Sequence, residues 1–94
     1  MVIGLLTLHL LLSGCLSLKE KRSHIKPLLA RLHKEFNISA AEVDLQDRWQ
    51  ESVIACVMIS NETRFIQSAL SQVLDYTQKN YPDIEIIQHR IEIL

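Results

Sequence analysis

The sequence predicts an α+β domain in which a four-stranded antiparallel sheet carries two helices on one of its faces. Four segments show the short apolar runs or the two-residue alternation of β-strands, and two longer segments show the apolar spacing of helices. They follow one another as strand, helix, strand, strand, helix, strand, which is the split βαβ, or ferredoxin-like βαββαβ, order. The chain has 94 residues, enough for one such domain and too few for two, so we expect residues 1–94 to form a single domain.

Turn and cap signals set the predicted boundaries. Asn37 is expected to end the first helix, Asn61 to cap the second, and Tyr81-Pro82-Asp83 to form a turn. The predicted strands are Val2 to Leu12, Ile38 to Leu45, Ser52 to Ser60 and Ile84 to Leu94, and the predicted helices are Ser17 to Phe36 and Glu62 to Lys79.

The first helix has the strongest local signals. Ser17 and Glu20 have the spacing of a capping box, in which each side chain satisfies a backbone N–H of the first turn. Pro27 removes one backbone donor, and we expect a bend there rather than an end, because the apolar stripe continues beyond it. That stripe consists of Leu18, Ile25, Leu28, Leu29, Leu32 and Phe36.

The same helix is the basic part of a slightly acidic chain. The net charge is −1, yet residues 17–36 hold six of the ten Lys and Arg residues and only two of the eleven Asp and Glu residues. A basic helix on an acidic domain suits an anionic partner, and a merely solvated helix face is the alternative. The candidate nucleic-acid-binding residues are Lys19, Lys21, Arg22, Lys26, Arg31 and Lys34.

The second face of the sheet is left open by this arrangement and is predicted to meet a partner. An apolar centre with a charged rim is more than a solvated face should carry, and a second copy in a two-fold dimer is the simplest partner. On the second strand we expect Ser39, Ala41, Val43 and Leu45 to face the helices, and Glu42 and Asp44 to face the open side. The candidate dimer-face residues on the first strand are Ile3, Leu5, Thr7, His9 and Leu11.

Catalytic and metal-binding patterns are weak. The four histidines lack metal-ligand spacing, no serine lies in a nucleophile elbow, and the two glycines do not form a phosphate-binding loop. We therefore predict no catalytic residue, no metal and no cofactor. Carboxylates do gather after the second strand, where they either contact a ligand or partner or deter edge-to-edge aggregation. This candidate contact site comprises Glu42, Asp44, Asp47 and Trp49.

RNA recognition of the usual sheet-face kind is not expected. RNA-recognition modules of this fold stack bases on aromatic residues of the central strands, and here those strands contain none. A contact between the basic helix and the RNA backbone remains open, and it would depend on salt and ignore base sequence. Trp49 either stacks a base or packs against the sheet or a sister subunit.

The N-terminal segment raises the question of membrane attachment. Leu12-Ser13-Gly14-Cys15 matches a lipoprotein cleavage motif, but no Lys or Arg precedes the apolar run and the run is short for a bilayer span. We therefore predict no membrane attachment. Two cysteines, Cys15 and Cys56, make no disulfide framework, which predicts a reducing, cytoplasmic location.

Two motifs and their order resemble the YlxP-like family of small bacterial proteins over essentially the whole chain. The motifs are Ser17-Leu18-Lys19-Glu20-Lys21-Arg22 and Ala41-Glu42-Val43-Asp44-x-Gln46-Asp47-x-Trp49-Gln50, with Ser60-Asn61 following before the second helix. Cys15 departs from the pattern, where a small residue such as Ala is expected. The resemblance implies a ferredoxin-like fold and no known activity, cofactor or catalytic residue. Family members often lie in gene neighbourhoods of translation initiation and ribosome maturation factors, which implies a translation-linked role.

Three functional hypotheses follow. The first is a dimeric interaction protein that touches RNA or a ribonucleoprotein through its basic helix. The second is a protein-binding or structural module whose basic helix meets an acidic surface. The third is a small-ligand binder or enzyme with its site near Glu42, Asp44, Asp47 and Trp49.

Overall fold

The computed structural model describes residues 1–94 and has the predicted order of elements. These are β1 (Val2–Leu11), α1 (Leu18–Glu35), β2 (Ser39–Asp44), β3 (Glu51–Ser60), α2 (Thr63–Asn80) and β4 (Glu85–Ile93). The four strands form one sheet in the order β2-β3-β1-β4, and every neighbouring pair is antiparallel. The predicted ferredoxin-like α+β fold is therefore confirmed.

The hydrophobic core lies between the sheet and the two helices. β1 alternates as predicted: Leu6, Leu8 and Leu10 are fully buried, while the residues between them are only partly covered. β3 alternates in the same way, with Ile54 and Cys56 fully buried beneath the helices. The helices contribute Ile25, Leu28 and Leu32 from α1 and Ile66, Leu70 and Val73 from α2.

Helix α1 begins at the predicted cap. Ser17 Oγ accepts the backbone N–H of Glu20 at 3.0 Å, and the Glu20 carboxylate accepts the backbone N–H of Leu16 at 3.0 Å. The helix then continues through the exposed Pro27 to Glu35. Neither helix of the fold is both long and apolar enough to cross a lipid bilayer.

Strand β2 presents the opposite faces to those predicted. Ala40 packs against the core, and the Glu42 side chain contacts α1, whereas Ala41 and Val43 are exposed. The prediction failed because Ser39, Ala40 and Ala41 are all small, so their alternation carries little hydrophobic signal. A register irregularity between Glu42 and Asp44 further breaks the two-residue period at the end of the strand.

The second helix also begins slightly later than predicted. Its N-cap is Glu62 rather than Asn61, and the Glu62 side chain makes no capping hydrogen bond. Instead, Ser60 Oγ accepts the backbone N–H of Glu62 at 3.3 Å, so the end of β3 supplies the cap. The start of α2 is thereby tied to the central strand on which it packs.

Helix α2 lies directly on β1 at Gly4. A Cβ atom at this position would overlap Cγ2 of the fully buried Ile66 and would lie 3.1 Å from Cδ1 of Leu70. The missing side chain therefore lets the helix approach the sheet closely. This explains why the otherwise apolar inward face of β1 is interrupted by a glycine.

We expect Gly4→Ala to lower the free energy of unfolding by about 1–3 kcal/mol, because an added methyl overpacks a filled site. Gly14→Ala is the matched control, since a Cβ there meets no atom within 4 Å. Urea denaturation measures both. Equal stability of the two variants would show that α2 does not pack on Gly4 as described.

Candidate functional site

The most unusual side chain in the structure is Lys21, whose surface is only 1% exposed. Its ammonium Nζ donates to three backbone carbonyl oxygens, those of Leu45 at 3.0 Å, Gln46 at 3.2 Å and Glu51 at 3.2 Å. It also forms an ion pair with Glu42 Oε2 at 2.9 Å. The charge of Lys21 is therefore enclosed by oxygen atoms from the end of β2, the following loop and the start of β3.

The carboxylate partner of Lys21 has a second contact. Glu42 Oε2 accepts a hydrogen bond from the hydroxyl of the fully buried Ser52 at 2.6 Å. No buried side-chain nitrogen or oxygen in the molecule is left without a hydrogen-bond partner. Burying the charge of Lys21 carries a desolvation cost of several kcal/mol, and the hydrogen bonds and the ion pair with the part-buried Glu42 offset it.

The position of Lys21 corrects its place among the predicted nucleic-acid contacts. Its ammonium lies inside the protein and is fully engaged, so it cannot reach a phosphate on the surface. The charge pattern groups Lys21 with the other cations of the helix, whereas the structure places it among the buried residues of α1. Helical spacing alone does not reveal the carbonyl oxygens that make this burial tolerable.

The loop between β2 and β3 takes its conformation around Lys21. Leu45 lies in the left-handed region with φ of 58°, a conformation that costs a non-glycine residue about 1–2 kcal/mol. Its carbonyl accepts both Lys21 Nζ and the backbone N–H of Arg48, each at 3.0 Å. At the other end of the loop, Gln50 donates its side-chain N–H to the Cys15 carbonyl at 3.1 Å. The loop is thus fixed at both ends.

This loop presents Trp49, which is 53% exposed. The predicted contact site of Glu42, Asp44, Asp47 and Trp49 is not assembled around one point, since no group of carboxylates here converges into a ligand set. Glu42 faces the helix side, and Asp44 Oδ1 accepts the backbone N–H of Leu45 at 2.8 Å. Asp47 and Trp49 remain exposed on the loop.

The other basic residues of α1 lie on its surface. Lys19, Arg22, Lys26 and Lys34 are exposed and form no ion pair within the chain. Arg31 is also exposed but lies 3.5 Å from the carboxylate of Glu35, one turn further along the helix. We define the basic face as the first four residues, because their charges have no neutralising partner.

The open face of the sheet is apolar over the two central strands. The pairing of β1 with β3 places Ile3 beside Ile59, Leu5 beside Val57, and Thr7 beside Ala55. Ile59 is 61% exposed and Val57 is 38% exposed. At the end of β1 that is nearer the loop between β2 and β3, His9 Nε2 lies 2.8 Å from Glu51 Oε2. On the edge strand β4, Arg90 and Glu92 form a second ion pair. All five β1 residues predicted for this face are partly exposed there.

A further apolar feature escaped the sequence reasoning. A notch of about 250 Å³ opens beside β3, at the end of the sheet that is remote from the loop between β2 and β3. It is assembled from α1, β3, α2 and the chain entering β2, so no single segment of sequence signals it. The apolar residues that line the notch are Phe36, Ile38, Met58, Ile59, Phe65 and Val73, and the acidic Glu35 also lines it.

The fold and its interior define a small ferredoxin-like domain in which a buried lysine of the first helix holds the loop between the second and third strands. The chain belongs to the family described as "Protein of unknown function (DUF503)", whose model matches residues 3–91. It is similar to "Uncharacterized protein YlxP" of Bacillus subtilis (strain 168), with 35% identity over 69 residues, which cover 73% of this chain and 74% of that protein. The YlxP-like resemblance is confirmed. The two motifs that carried it meet in space through the ion pair of Lys21 and Glu42.

We expect Lys21→Met to lower the free energy of unfolding by about 1–3 kcal/mol, because it removes the cation that pairs with the part-buried Glu42 carboxylate and that donates to three backbone carbonyl groups. Lys19→Met is the control, since Lys19 is exposed two residues earlier on the same helix. Its effect should stay within about 0.5 kcal/mol. Urea denaturation measures the free energy of unfolding of both variants. Similar values for the two would contradict the structural role of Lys21.

Proposed function

We propose that this protein is a non-catalytic interaction protein that contacts the RNA backbone through the basic face of α1. The observation that carries the proposal is a set of four exposed cations, Lys19, Arg22, Lys26 and Lys34, with no acidic partner on a chain of net charge −1. Unpaired cations on one helix attract phosphates, and each contact made releases a condensed counterion.

The aromatic residues support a backbone contact rather than base reading. Phe36 packs edge-to-face on Tyr76 with ring centroids 5.4 Å apart, and Tyr76 lies 6.5 Å from Tyr81. These three rings pack against the hydrophobic core and are not free to stack on bases. Trp49 and Phe65 are the exposed aromatic residues, and neither lies on a central strand. The contact is therefore salt-dependent and largely independent of base sequence.

The cellular setting of the proposal is translation. The YlxP-like resemblance carries an association with translation and ribosome maturation genes, which suits a protein that binds structured RNA or a ribonucleoprotein. Both cysteines are buried and unpaired, in keeping with the proposed cytoplasmic location. Burial raises the pKa of the Cys56 thiol to about 11, so it stays protonated and unreactive at neutral pH.

The test is binding to fluorescent ribosomal RNA fragments across a range of salt concentrations. We expect Arg22→Gln combined with Lys26→Gln to reduce the salt slope by about 1.4 and to weaken binding roughly 25-fold at ~0.1 M salt, if two phosphate contacts are lost. The matched control is Arg64→Gln combined with Lys79→Gln. It removes the same charges from α2, where both residues are exposed and unpaired.

Two results would contradict the proposal. Absence of binding by the wild type at low salt would remove RNA and favour an acidic protein surface as the partner of α1. Equal weakening in both double variants would show that net charge matters and the basic face does not.

We also propose that the protein forms a homodimer through its open sheet face. β1 and β3 each have ten residues and the sheet has four strands, so the face measures about 34 Å by 19 Å. Covering it in both copies would bury roughly 1,200 Å², which is above the ~1,000 Å² needed for a stable interface. The exposed Val57 and Ile59 supply the apolar contact that such an interface requires.

A further inference from the structure

We propose that Trp49 stacks on an unpaired RNA base while the nearby cations of α1 bind phosphates of the same strand. The stack rests on the proposed function and deepens it, because it makes an unpaired stretch of RNA the ligand of the basic face. Every nucleobase has a π-face that a tryptophan ring can cover, so the contact requires no particular base sequence. A base inside a duplex is already stacked on its neighbours and is not available to the ring.

Trp49 is presented by a loop whose backbone is already ordered. Its side chain is 53% exposed, so the sheet does not enclose it. The residues on either side are held by backbone hydrogen bonds, from the Arg48 N–H to the Leu45 carbonyl at 3.0 Å and from the Leu12 N–H to the Gln50 carbonyl at 2.8 Å. A half-exposed ring on such a loop loses little conformational freedom when it binds a partner.

The loop that carries Trp49 adjoins the first turn of α1. Lys21 lies in this turn and donates to the carbonyl oxygens of Leu45 at 3.0 Å and Gln46 at 3.2 Å. The hydrogen bond from Arg48 to Leu45 closes a tight turn, whose two end Cα atoms lie less than about 7 Å apart. Trp49 is the next residue, so the exposed ring lies at the N-terminal end of α1.

The basic face is turned toward the strand that leads into this loop. Helical spacing of about 100° per residue places Arg22, Lys26 and His33 within about 40° of one another around α1. His33 Nε2 accepts the backbone N–H of Ala40 at 3.0 Å, so this side of α1 lies along β2. Because β2 ends at Asp44, directly before the loop, Arg22 and Lys26 lie on the side of α1 from which the loop departs.

The charges of α1 bring an RNA strand to Trp49 rather than to the other exposed aromatic residue. Three of the four cations of the basic face lie within the first nine residues of α1, about 12 Å of helix, and only Lys34 lies in the last turn. Phe65 is 51% exposed, but it lines the notch at the opposite end of the sheet, together with the acidic Glu35.

The loop itself suits an uncharged base better than a phosphate. Residues 45–50 carry one acidic side chain, Asp47, and one basic side chain, Arg48, so their charges cancel. Asp44 and Glu51 border the loop and would repel a phosphate. Phosphates therefore stay on α1, and a neutral ring can occupy the surface of Trp49.

The single tryptophan of the chain reports the stack directly. The full-length protein is titrated at low salt with oligouridine, with the same strand lacking its bases, and with oligouridine paired to oligoadenine. We expect oligouridine to quench the emission of Trp49, because a base then lies against the ring. The abasic strand and the duplex should leave the emission unchanged, and the abasic strand should bind more weakly than oligouridine.

Variants of the exposed aromatic residues separate stacking from charge. Trp49→Ala should weaken the binding of labelled oligouridine roughly 5- to 150-fold, the loss of one base–aromatic stack. The salt slope should not change, because no phosphate contact is lost. Trp49→Phe should retain most of the affinity, since its ring also stacks. Phe65→Ala is the matched control and should bind as tightly as the wild type.

The possible results separate the stack from the proposed function. Absence of binding to all three ligands at low salt would overturn both. Binding with unchanged Trp49 emission and equal affinity for the abasic strand would overturn the stack and leave the backbone contact of α1 standing. A loss of affinity in Phe65→Ala instead of Trp49→Ala would also overturn the stack.

The wild-type titration keeps the test decisive even if Trp49→Ala fails to fold. Emission of Trp49 is also recorded without RNA from high to low protein concentration. A shift to shorter wavelength at high concentration would show that a second copy covers the ring, which would overturn the stack. Emission that does not depend on protein concentration is the result expected for a ring left free for RNA.

Discussion

The enclosed ammonium of Lys21 is the interaction on which the rest of the structure depends. One side chain of α1 binds the end of β2, the following loop and the start of β3 through four oxygen atoms. These contacts join the end of β2, where the pairing with β3 shifts between Glu42 and Asp44, to the left-handed turn at Leu45. Without this cation, the Gln46 and Glu51 carbonyl groups and the part-buried Glu42 carboxylate would each lose a partner, and the Leu45 carbonyl would keep only the N–H of Arg48.

The same helix divides its charges between two tasks. Lys21 is buried and contacts the loop between β2 and β3. The residues of the basic face are exposed to solvent, where a partner can reach them. A buried ion pair contributes little net stability compared with an apolar pair of the same shape. Its presence therefore fits a requirement for a defined conformation of the loop between β2 and β3.

Sequence reasoning captured what local signals and periodicity determine. Residue spacing predicts the order of the elements, the capped start of α1 and the alternation of β1. It does so because each of these residues faces either the core or solvent. It failed on β2, where small side chains carry little hydrophobic signal and the contact between Glu42 and Lys21 places the acid on the helix side. It also failed on Lys21 and on the notch beside β3, because both are assembled from residues distant in the sequence.

A double-mutant cycle on Lys21 and Glu42 tests the central claim most directly. Lys21→Met, Glu42→Leu and the combined variant are compared with the wild type by urea denaturation. If the two side chains form one buried unit, the combined variant should be less destabilised than the sum of the single variants by about 1–3 kcal/mol. Additive effects within about 0.5 kcal/mol would mean that Lys21 and Glu42 are independent, and that the loop presenting Trp49 is not held by this pair.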